Sequence, residues 1–297
     1  MVDAWGGSWT EQKLNAFVKY VNAYLKILNV YKDKYNWETI YFDGFAGSGE
    51  QGQKDDTLRS DMFFTPTDNE EHLYQGAAER VLTQEALFDW YYFIDKNENA
   101  IKQLKSKLLS ISNIDSDRLQ FRSGDCNKIL SELAAAMGKS GGKKEYAALV
   151  FLDPFGMQID WESIVKLKNT RTDLWLLVPT GVIINRLLDR EGELSHLEKL
   201  ISFFGLSEAD IRKEFYQTTQ HSTLFDGNVE VTSKVERPIE KIINLYIRRL
   251  KSIFEYVTES PLVLRNSKNV SLFHFAFASN NPTGLKIAKD IIGSNNG

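Results

Sequence analysis

Residues 41–50 read YFDGFAGSGE, and this stretch decides the fold. An apolar, β-rich run over 39–43 predicts a buried strand that ends at Asp43, and glycines follow at positions 44, 47 and 49. Glycine allows a tight turn and lets a ligand approach the backbone closely. In open α/β sheets such a turn lies at the carboxyl edge, where ligands bind. We therefore expect a ligand-binding turn here, with an acid suited to a cationic amine.

Strands and helices alternate outward from this turn. Apolar strands between amphipathic helices indicate a parallel sheet that is covered on both faces. Segments 254–264 and 271–279 flank a polar turn, which predicts a final hairpin and an antiparallel last strand. The pattern predicts further strands over 90–94, 119–122, 148–152 and 174–178, and helices over 9–31, 97–109, 127–137, 161–167 and 283–292.

The chain is predicted to form a single domain over 1–297. An N-terminal helical segment over 1–36 precedes the first strand. Residues 50–76 are polar and are interpreted as an insertion or a lid, and residues 181–251 as a helical insertion.

Acids follow the next two predicted strands. Asp95 and Lys96 come after the strand over 90–94, where a carboxylate can bind the ribose of a nucleoside or cap the next helix. Asp125 and Cys126 come after the strand over 119–122, where an acid can accept from an adenine amino group or again cap a helix. Each position leaves both alternatives open.

Asp153, Pro154 and Phe155 follow the strand over 148–152. They resemble the [DN]-P-P-[FYW] tetrad of methyltransferases that modify exocyclic amino groups of nucleobases, with the second proline missing. The carboxylate and a following backbone carbonyl can accept the two hydrogens of such an amine, and the aromatic ring can stack on a base swung out of its helix. The alternative is a plain turn, which Asp-Pro also favours.

The order of these motifs predicts the cofactor. The glycine turn, the two acids and the Asp-Pro-aromatic motif follow successive strands, as an S-adenosylmethionine-dependent methyltransferase requires. The predicted fold is therefore α/β, a Rossmann-like class I methyltransferase fold with a mostly parallel sheet. The candidate cofactor-binding residues are Asp43, Gly44, Phe45, Gly47, Gly49, Asp95, Lys96, Asp125 and Cys126, and the candidate catalytic residues are Asp153, Pro154 and Phe155.

NAD binding is an alternative, because Gly47, Gly49 and Gly52 fit the G-x-G-x-x-G pattern. That pattern requires a helix directly after the glycines, and residues 51–61 do not resemble one. The sequence therefore favours S-adenosylmethionine over a dinucleotide.

Composition narrows the class of protein. The net charge of −4 over 297 residues is not that of a general nucleic-acid binder. The single cysteine excludes an intrachain disulfide, and the four histidines show no metal-ligand spacing, so we expect no metal site. No apolar stretch approaches the roughly 18 residues that a membrane span needs. We expect a cytoplasmic protein with no membrane contact.

Four segments resemble the three-Cys-motif partner family, TcmP. They are WTEQKL at 9–14, DGFAGSG at 43–49, LDPFG at 152–156, and FHFAFAS at 273–279 followed by Gly284. The resemblance spans nearly the whole chain. It implies a methyltransferase-like fold and genomic pairing with a radical-type protein that carries three cysteines, and it names no substrate.

The sequence thus predicts methyl transfer from S-adenosylmethionine to a nitrogen, namely an exocyclic amine of a nucleobase in RNA or DNA. Two alternatives stay open. The chain could be a binding module that keeps the fold and serves a partner protein without catalysis. It could also methylate a protein or a small molecule.

Overall fold

The computed structural model of the chain describes residues 8–48, 76–111, 114–138, 145–190, 192–223 and 227–295. The strands in these ranges are β1 (Trp37–Asp43), β2 (Trp90–Asp95), β3 (Leu119–Ser123), β4 (Glu145–Leu152), β5 (Thr172–Val178), β6 (Tyr216–Thr223), β7 (Gly227–Lys234), β8 (Tyr256–Val257), β9 (Leu262–Arg265) and β10 (Ser271–Ser279). The helices are α1 (Ser8–Tyr35), α2 (Ala77–Leu82), α3 (Glu98–Ile111), α4 (Cys126–Met137), α5 (Trp161–Val165), α6 (Asn185–Leu187), α7 (Leu197–Phe204), α8 (Glu208–Phe215), α9 (Pro238–Leu250) and α10 (Pro282–Gly293).

The central sheet has eight strands, in the order β3-β2-β1-β4-β5-β10-β8, and β9 also pairs with β10. Strands β1 to β5 run parallel, and β10 pairs with β5 in the antiparallel sense. A mostly parallel sheet with antiparallel last strands confirms the predicted fold class.

Strand β1 lies between β2 and β4, and Asp43 at its end is level with Phe93 and Phe151. From β1 the chain adds β2 and β3 on one side and then crosses to β4 on the other side. The strand order therefore reverses between β1 and β4. Ligands of open α/β sheets bind at the carboxyl ends of the strands at such a switch point.

Two apolar layers cover the sheet. Helices α1, α2, α3 and α10 pack on one face, where Phe17 stacks on Phe151 with ring centroids 4.2 Å apart. Helices α4, α5, α7, α8 and α9 pack on the other face. Successive residues of β1 alternate between the layers, so that Tyr41 contacts the α1 side and Phe42 the opposite side.

The prediction that 181–251 is a helical insertion is wrong in its middle part. Helices α7, α8 and α9 lie there, but β6 and β7 form a separate two-stranded antiparallel sheet. The hairpin strands are rich in threonine and serine, and their apolar alternation is limited to Val229 and Val231, which is too short to mark two strands. The Asp226–Gly227 dipeptide and the β-branched residues were the available signals.

The strand predicted over 254–264 is divided into β8 and β9. Pro261 lies between the two pieces, and proline cannot donate a hydrogen bond to a ladder. Both pieces still pair with β10, so the prediction of antiparallel pairing is confirmed.

Candidate functional site

The turn after β1 lies across the ends of three neighbouring strands. The Gly44 amide donates to the Phe151 carbonyl oxygen of β4 at 3.0 Å, and the Ala46 amide donates to the Ile94 carbonyl oxygen of β2 at 2.8 Å. These two bonds attach the turn to both neighbours of β1. The turn therefore occupies the switch point of the sheet.

Asp43 is 1% exposed at the end of β1. Its Oδ1 accepts from the Phe45 amide at 3.2 Å, and its Oδ2 accepts from the Tyr41 hydroxyl at 3.1 Å. Burial raises the pKa of the Asp43 carboxyl to about 7, the Phe45 amide opposes this shift, and the charge of Asp153 adds to it. The site thus contains a carboxyl group that changes its charge near neutral pH.

We expect stability to decrease with rising pH because of Asp43. Its pKa rises from the ordinary 3.8 to about 7 on folding, so the folded state binds more protons between these values. Stability falls in that range, and between pH 5 and pH 8 the loss from this group is roughly 2 to 3 kcal/mol. Asp43→Asn should remove that loss, because the amide oxygen can accept from the Phe45 amide while its NH2 group donates to the Tyr41 hydroxyl oxygen.

Urea unfolding of wild type and Asp43→Asn at both pH values checks this prediction. Other groups titrate equally in the two proteins, so the difference between their pH slopes belongs to Asp43. Identical slopes would contradict the assignment.

Two glycines of the turn are required for different reasons. A Cβ on Gly44 would lie 2.5 Å from the Cys126 sulfur and 2.7 Å from Leu152 Cδ2, so the end of β1 packs directly on the start of α4. Gly47 has a φ of +59°, and a Cβ added there would meet no atom within 4 Å. Glycine is therefore required at position 44 because neighbouring atoms leave no space for a Cβ. At position 47 it is favoured by the left-handed backbone conformation, and there is space for a Cβ.

Gly44→Ala is expected to lower the free energy of unfolding by about 1 to 3 kcal/mol, since it overpacks a closed contact. Gly47→Ala is the matched control and should cost only about 1 kcal/mol, through its backbone conformation. Removing the Cys126 sulfur in Gly44→Ala/Cys126→Ala should recover part of the loss. Denaturant unfolding measures all three proteins, and a Gly44→Ala variant as stable as wild type would refute the contact.

Asp95 connects two parts of the site. Its Oδ2 accepts from the Gly47 amide at 3.0 Å, and its Oδ1 accepts from the Asn97 amide at 2.8 Å. The second bond is of the helix-capping kind, and Asn97 itself caps the first turn of α3. The first bond holds the glycine turn. The carboxylate thus orders the turn whether or not it also binds a ribose, and Lys96 next to it is exposed.

Asp125 caps α4, because its Oδ1 accepts from the Asn127 amide at 2.8 Å. The capping alternative is therefore present in the structure. Burial raises the pKa of the Cys126 thiol, and the charges of Asp125, Asp43 and Asp95 raise it further. The buried thiol at the start of α4 therefore stays protonated at neutral pH.

Asp153 forms an ion pair with Lys13 of α1 through its Oδ2. The Lys13 side chain is 4% exposed and the Asp153 side chain is 23% exposed. The carboxylate therefore contacts a buried ammonium, while part of the Asp153 side chain is accessible to solvent. The charge of Asp153 also acts on Asp43 and Tyr41, which places it beside the end of β1.

Pro154 is buried, whereas Phe155 is 45% exposed. The Phe155 amide donates to Gln158 Oε1 at 3.0 Å. Asn127 of α4 ties down the same loop, since its side chain donates to the Gln158 carbonyl oxygen and accepts from the Asp160 amide. A fixed loop thus presents a large aromatic ring at the carboxyl edge of the sheet.

The structure brings the predicted site residues together at one edge of the sheet, after β1, β2, β3 and β4. Gly49 and the insertion over 50–75 lie outside the described residues. Sequence reasoning gave no role to Lys13. The sequence did contain a signal for such a role. Lys13 lies on the same apolar face of α1 as Phe17 and Tyr20, where an unpaired charge is costly.

Two kinds of feature are absent from the described residues. None of the helices there is long and apolar enough to cross a membrane. In the same part of the chain, no three histidine, cysteine or acidic side chains form a group that could hold a metal ion.

Comparisons with known proteins reach only the level of the fold. No protein-family model and no curated protein matches the chain. Among solved structures, the chain is similar to Trm1 from Pyrococcus horikoshii in complex with S-adenosyl-L-methionine, with 12% identity, 96% of this chain and 71% of that chain covered, and a TM-score of 0.37.

Two further structures give similar values. The methyltransferase domain of bacterial CtHen1-CN has 12% identity, with 92% of this chain and 100% of that chain covered and a TM-score of 0.36. A protein from Legionella pneumophila strain Philadelphia 1 has 13% identity, with 89% and 96% covered and a TM-score of 0.37. Likenesses this weak assign no family, substrate or cofactor to this chain.

Proposed function

We propose that the protein transfers a methyl group from S-adenosylmethionine to an exocyclic amino group of a nucleobase. The observation that carries this proposal is the set of four carboxylates, Asp43, Asp95, Asp125 and Asp153, at the ends of four adjacent strands. Two of them, Asp43 and Asp95, accept hydrogen bonds from the glycine turn at the switch point of the sheet.

The charge of this set discriminates between cofactors. S-adenosylmethionine carries a sulfonium and an ammonium group, and its ribose hydroxyls donate hydrogen bonds. Carboxylates suit all of these groups. A dinucleotide carries phosphates, which an ionised Asp43 at the end of β1 would repel, whereas an acid after β2 such as Asp95 can bind the ribose of either cofactor. The acid beside the glycine turn therefore favours S-adenosylmethionine over NAD.

When it is bound, the cofactor supplies an electrophilic methyl group. The candidate cofactor-binding residues fall into three groups along the edge of the sheet. In the proposal, the end of β1 holds the methionine part, the end of β2 the ribose and the end of β3 the adenine. The cofactor-binding residues in this order are Asp43, Gly44, Phe45, Gly47 and Gly49, then Asp95 and Lys96, then Asp125 and Cys126.

Asp153, Pro154 and Phe155 form the acceptor side of the site. An amino group conjugated to a base is a poor nucleophile, and a carboxylate that accepts its hydrogen orients the nitrogen lone pair toward the methyl group. The exposed part of Asp153 is available for this bond, and the Pro154 carbonyl can accept the second hydrogen. The Phe155 ring, 45% exposed, suits stacking on a base.

Exposed cations at the same edge support a nucleic-acid acceptor. Lys96 follows β2, Lys128 lies in the first turn of α4, Arg186 lies in α6 after β5, and Lys268 lies in the turn before β10. Such side chains can contact phosphates around an acceptor base, although the net charge of the whole chain is −4.

The test supplies the protein with S-adenosylmethionine tritiated in its methyl group and with RNA, DNA and protein fractions of a cell lysate. The expected result is that label enters a nucleic-acid fraction and that nuclease digestion releases it as a nucleotide with an N-methylated base. Label only in the protein fraction would show a different acceptor. Cofactor binding without any label transfer would favour the binding-module alternative.

A further inference from the structure

We propose that Lys13 is a positioning residue that holds the Asp153 carboxylate toward the methyl acceptor and neutralises its charge. This inference rests on the proposed function, because it concerns the acceptor side of the same site. It adds helix α1, which precedes the sheet, to the machinery of that site.

Lys13 is not a solvated surface residue. Its side chain is 4% exposed, and its ammonium lies 5.6 Å from the centroid of the Trp9 ring. Trp9 in turn stacks on Phe273 of β10 with ring centroids 5.0 Å apart. A buried ammonium costs several kcal/mol unless it is paired, and a methionine or leucine would fill the same apolar face at lower cost. The lysine therefore needs a reason other than packing.

The geometry of the pair leaves room for an acceptor. Lys13 contacts Oδ2 of Asp153, and the Asp153 side chain is 23% exposed. The carboxylate is thus held from α1 through Oδ2, while part of the Asp153 side chain stays accessible to solvent. A carboxylate held in this way can accept a hydrogen bond in a defined direction.

The pair also determines the charge that a bound molecule meets. Asp43 and Asp95 already make this edge of the sheet anionic, and the charge of Asp153 acts on Asp43. Lys13 compensates Asp153 locally. Removing Lys13 would leave a net negative charge at the acceptor side, and neutralising Asp153 would leave a net positive charge there.

Two analogues of the cofactor measure this charge without any acceptor. S-adenosylhomocysteine is uncharged at sulfur, and sinefungin carries an amino group in place of the methyl sulfonium. The ratio of their affinities reports the potential where the methyl group would lie. Calorimetry gives this ratio for full-length wild type and variants.

The two charge changes should act in opposite directions. Lys13→Met should raise the preference for sinefungin roughly tenfold, and Asp153→Asn should lower it by a similar factor. Lys13→Arg should stay near wild type, because it keeps the charge. Lys19→Met is the matched control, since Lys19 is an exposed lysine on the same helix, and it should leave the ratio unchanged.

A ratio that is the same in wild type, Lys13→Met and Asp153→Asn would overturn the proposal, because the ion pair would then be only structural. If Lys13→Met does not fold, the affinity ratio of Asp153→Asn still tests the proposal, which predicts a lower preference for sinefungin. Failure of the proposed function looks different: wild type itself would bind neither analogue nor S-adenosylmethionine, and the inference would fall with it.

Discussion

Replacing Asp153 with alanine is expected to reduce methyl transfer by at least about 100-fold, while the affinity for S-adenosylmethionine stays within a few-fold. The variant removes the group that orients the acceptor amine and leaves the cofactor side of the site intact. Asp153→Asn should retain part of the activity, because its amide oxygen can still accept the same hydrogen bond. The rate of methyl transfer is measured as tritium that enters the nucleic-acid fraction labelled by wild type. Calorimetry measures the affinities for S-adenosylmethionine.

The loss of Asp153 also leaves Lys13 buried without its partner, which can cost roughly 3 to 5 kcal/mol of stability. The assays therefore need a parallel unfolding curve to show that the variant is folded. Asp160→Ala is the matched control, since Asp160 is an acid in the same loop and accepts from the Ser202 hydroxyl. A fully active, folded Asp153→Ala variant would exclude a catalytic role for this carboxylate.

Asp95→Ala is expected to weaken the binding of S-adenosylmethionine by at least about tenfold. The substitution removes the acceptor of the Gly47 amide and the acceptor of the Asn97 amide, so only the bond from the Ala46 amide to the Ile94 carbonyl oxygen still attaches the glycine turn to β2. In the proposed function it also removes the group that binds ribose. Both effects act on the same equilibrium and add to the loss.

Asp115→Ala separates these effects from a general loss of capping. Asp115 is exposed and accepts from the Asp117 amide before β3, so the variant loses a bond of the same kind outside the candidate site. Its affinity for S-adenosylmethionine should equal that of wild type. Unchanged affinity in a folded Asp95→Ala variant would be incompatible with the proposed cofactor site.

The parallel part of the fold could be predicted because its strands are fully buried. The residues of β5 are all buried, and β4 is buried from Ala147 onward, so apolar runs mark both strands in the sequence. An acid directly after β1, β2 or β4 then falls at the carboxyl edge of a parallel sheet. The approximate location of the candidate site follows from these two facts.

One feature of the site depends on a contact between distant parts of the chain. The pairing of Lys13 with Asp153 joins residues 140 positions apart, and no local pattern identifies the partner of a buried lysine.

Two strand features lacked a clear local pattern. The hairpin of β6 and β7 carries an apolar alternation only at Val229 and Val231, which is too short to distinguish its strands in the sequence from a polar loop or an exposed helix. The break between β8 and β9 falls where the polar residues 258–260 and Pro261 interrupt the apolar residues of the predicted strand.

Calorimetric titration of the wild-type chain with S-adenosylmethionine and, separately, with NADH tests the central claim most directly. The claim is that the carboxylates at the ends of β1 to β4 form a site for a cationic nucleoside cofactor. It predicts saturable binding of S-adenosylmethionine with one site per chain and no binding of NADH. Binding of NADH, or no binding of S-adenosylmethionine to well-folded protein, would contradict it.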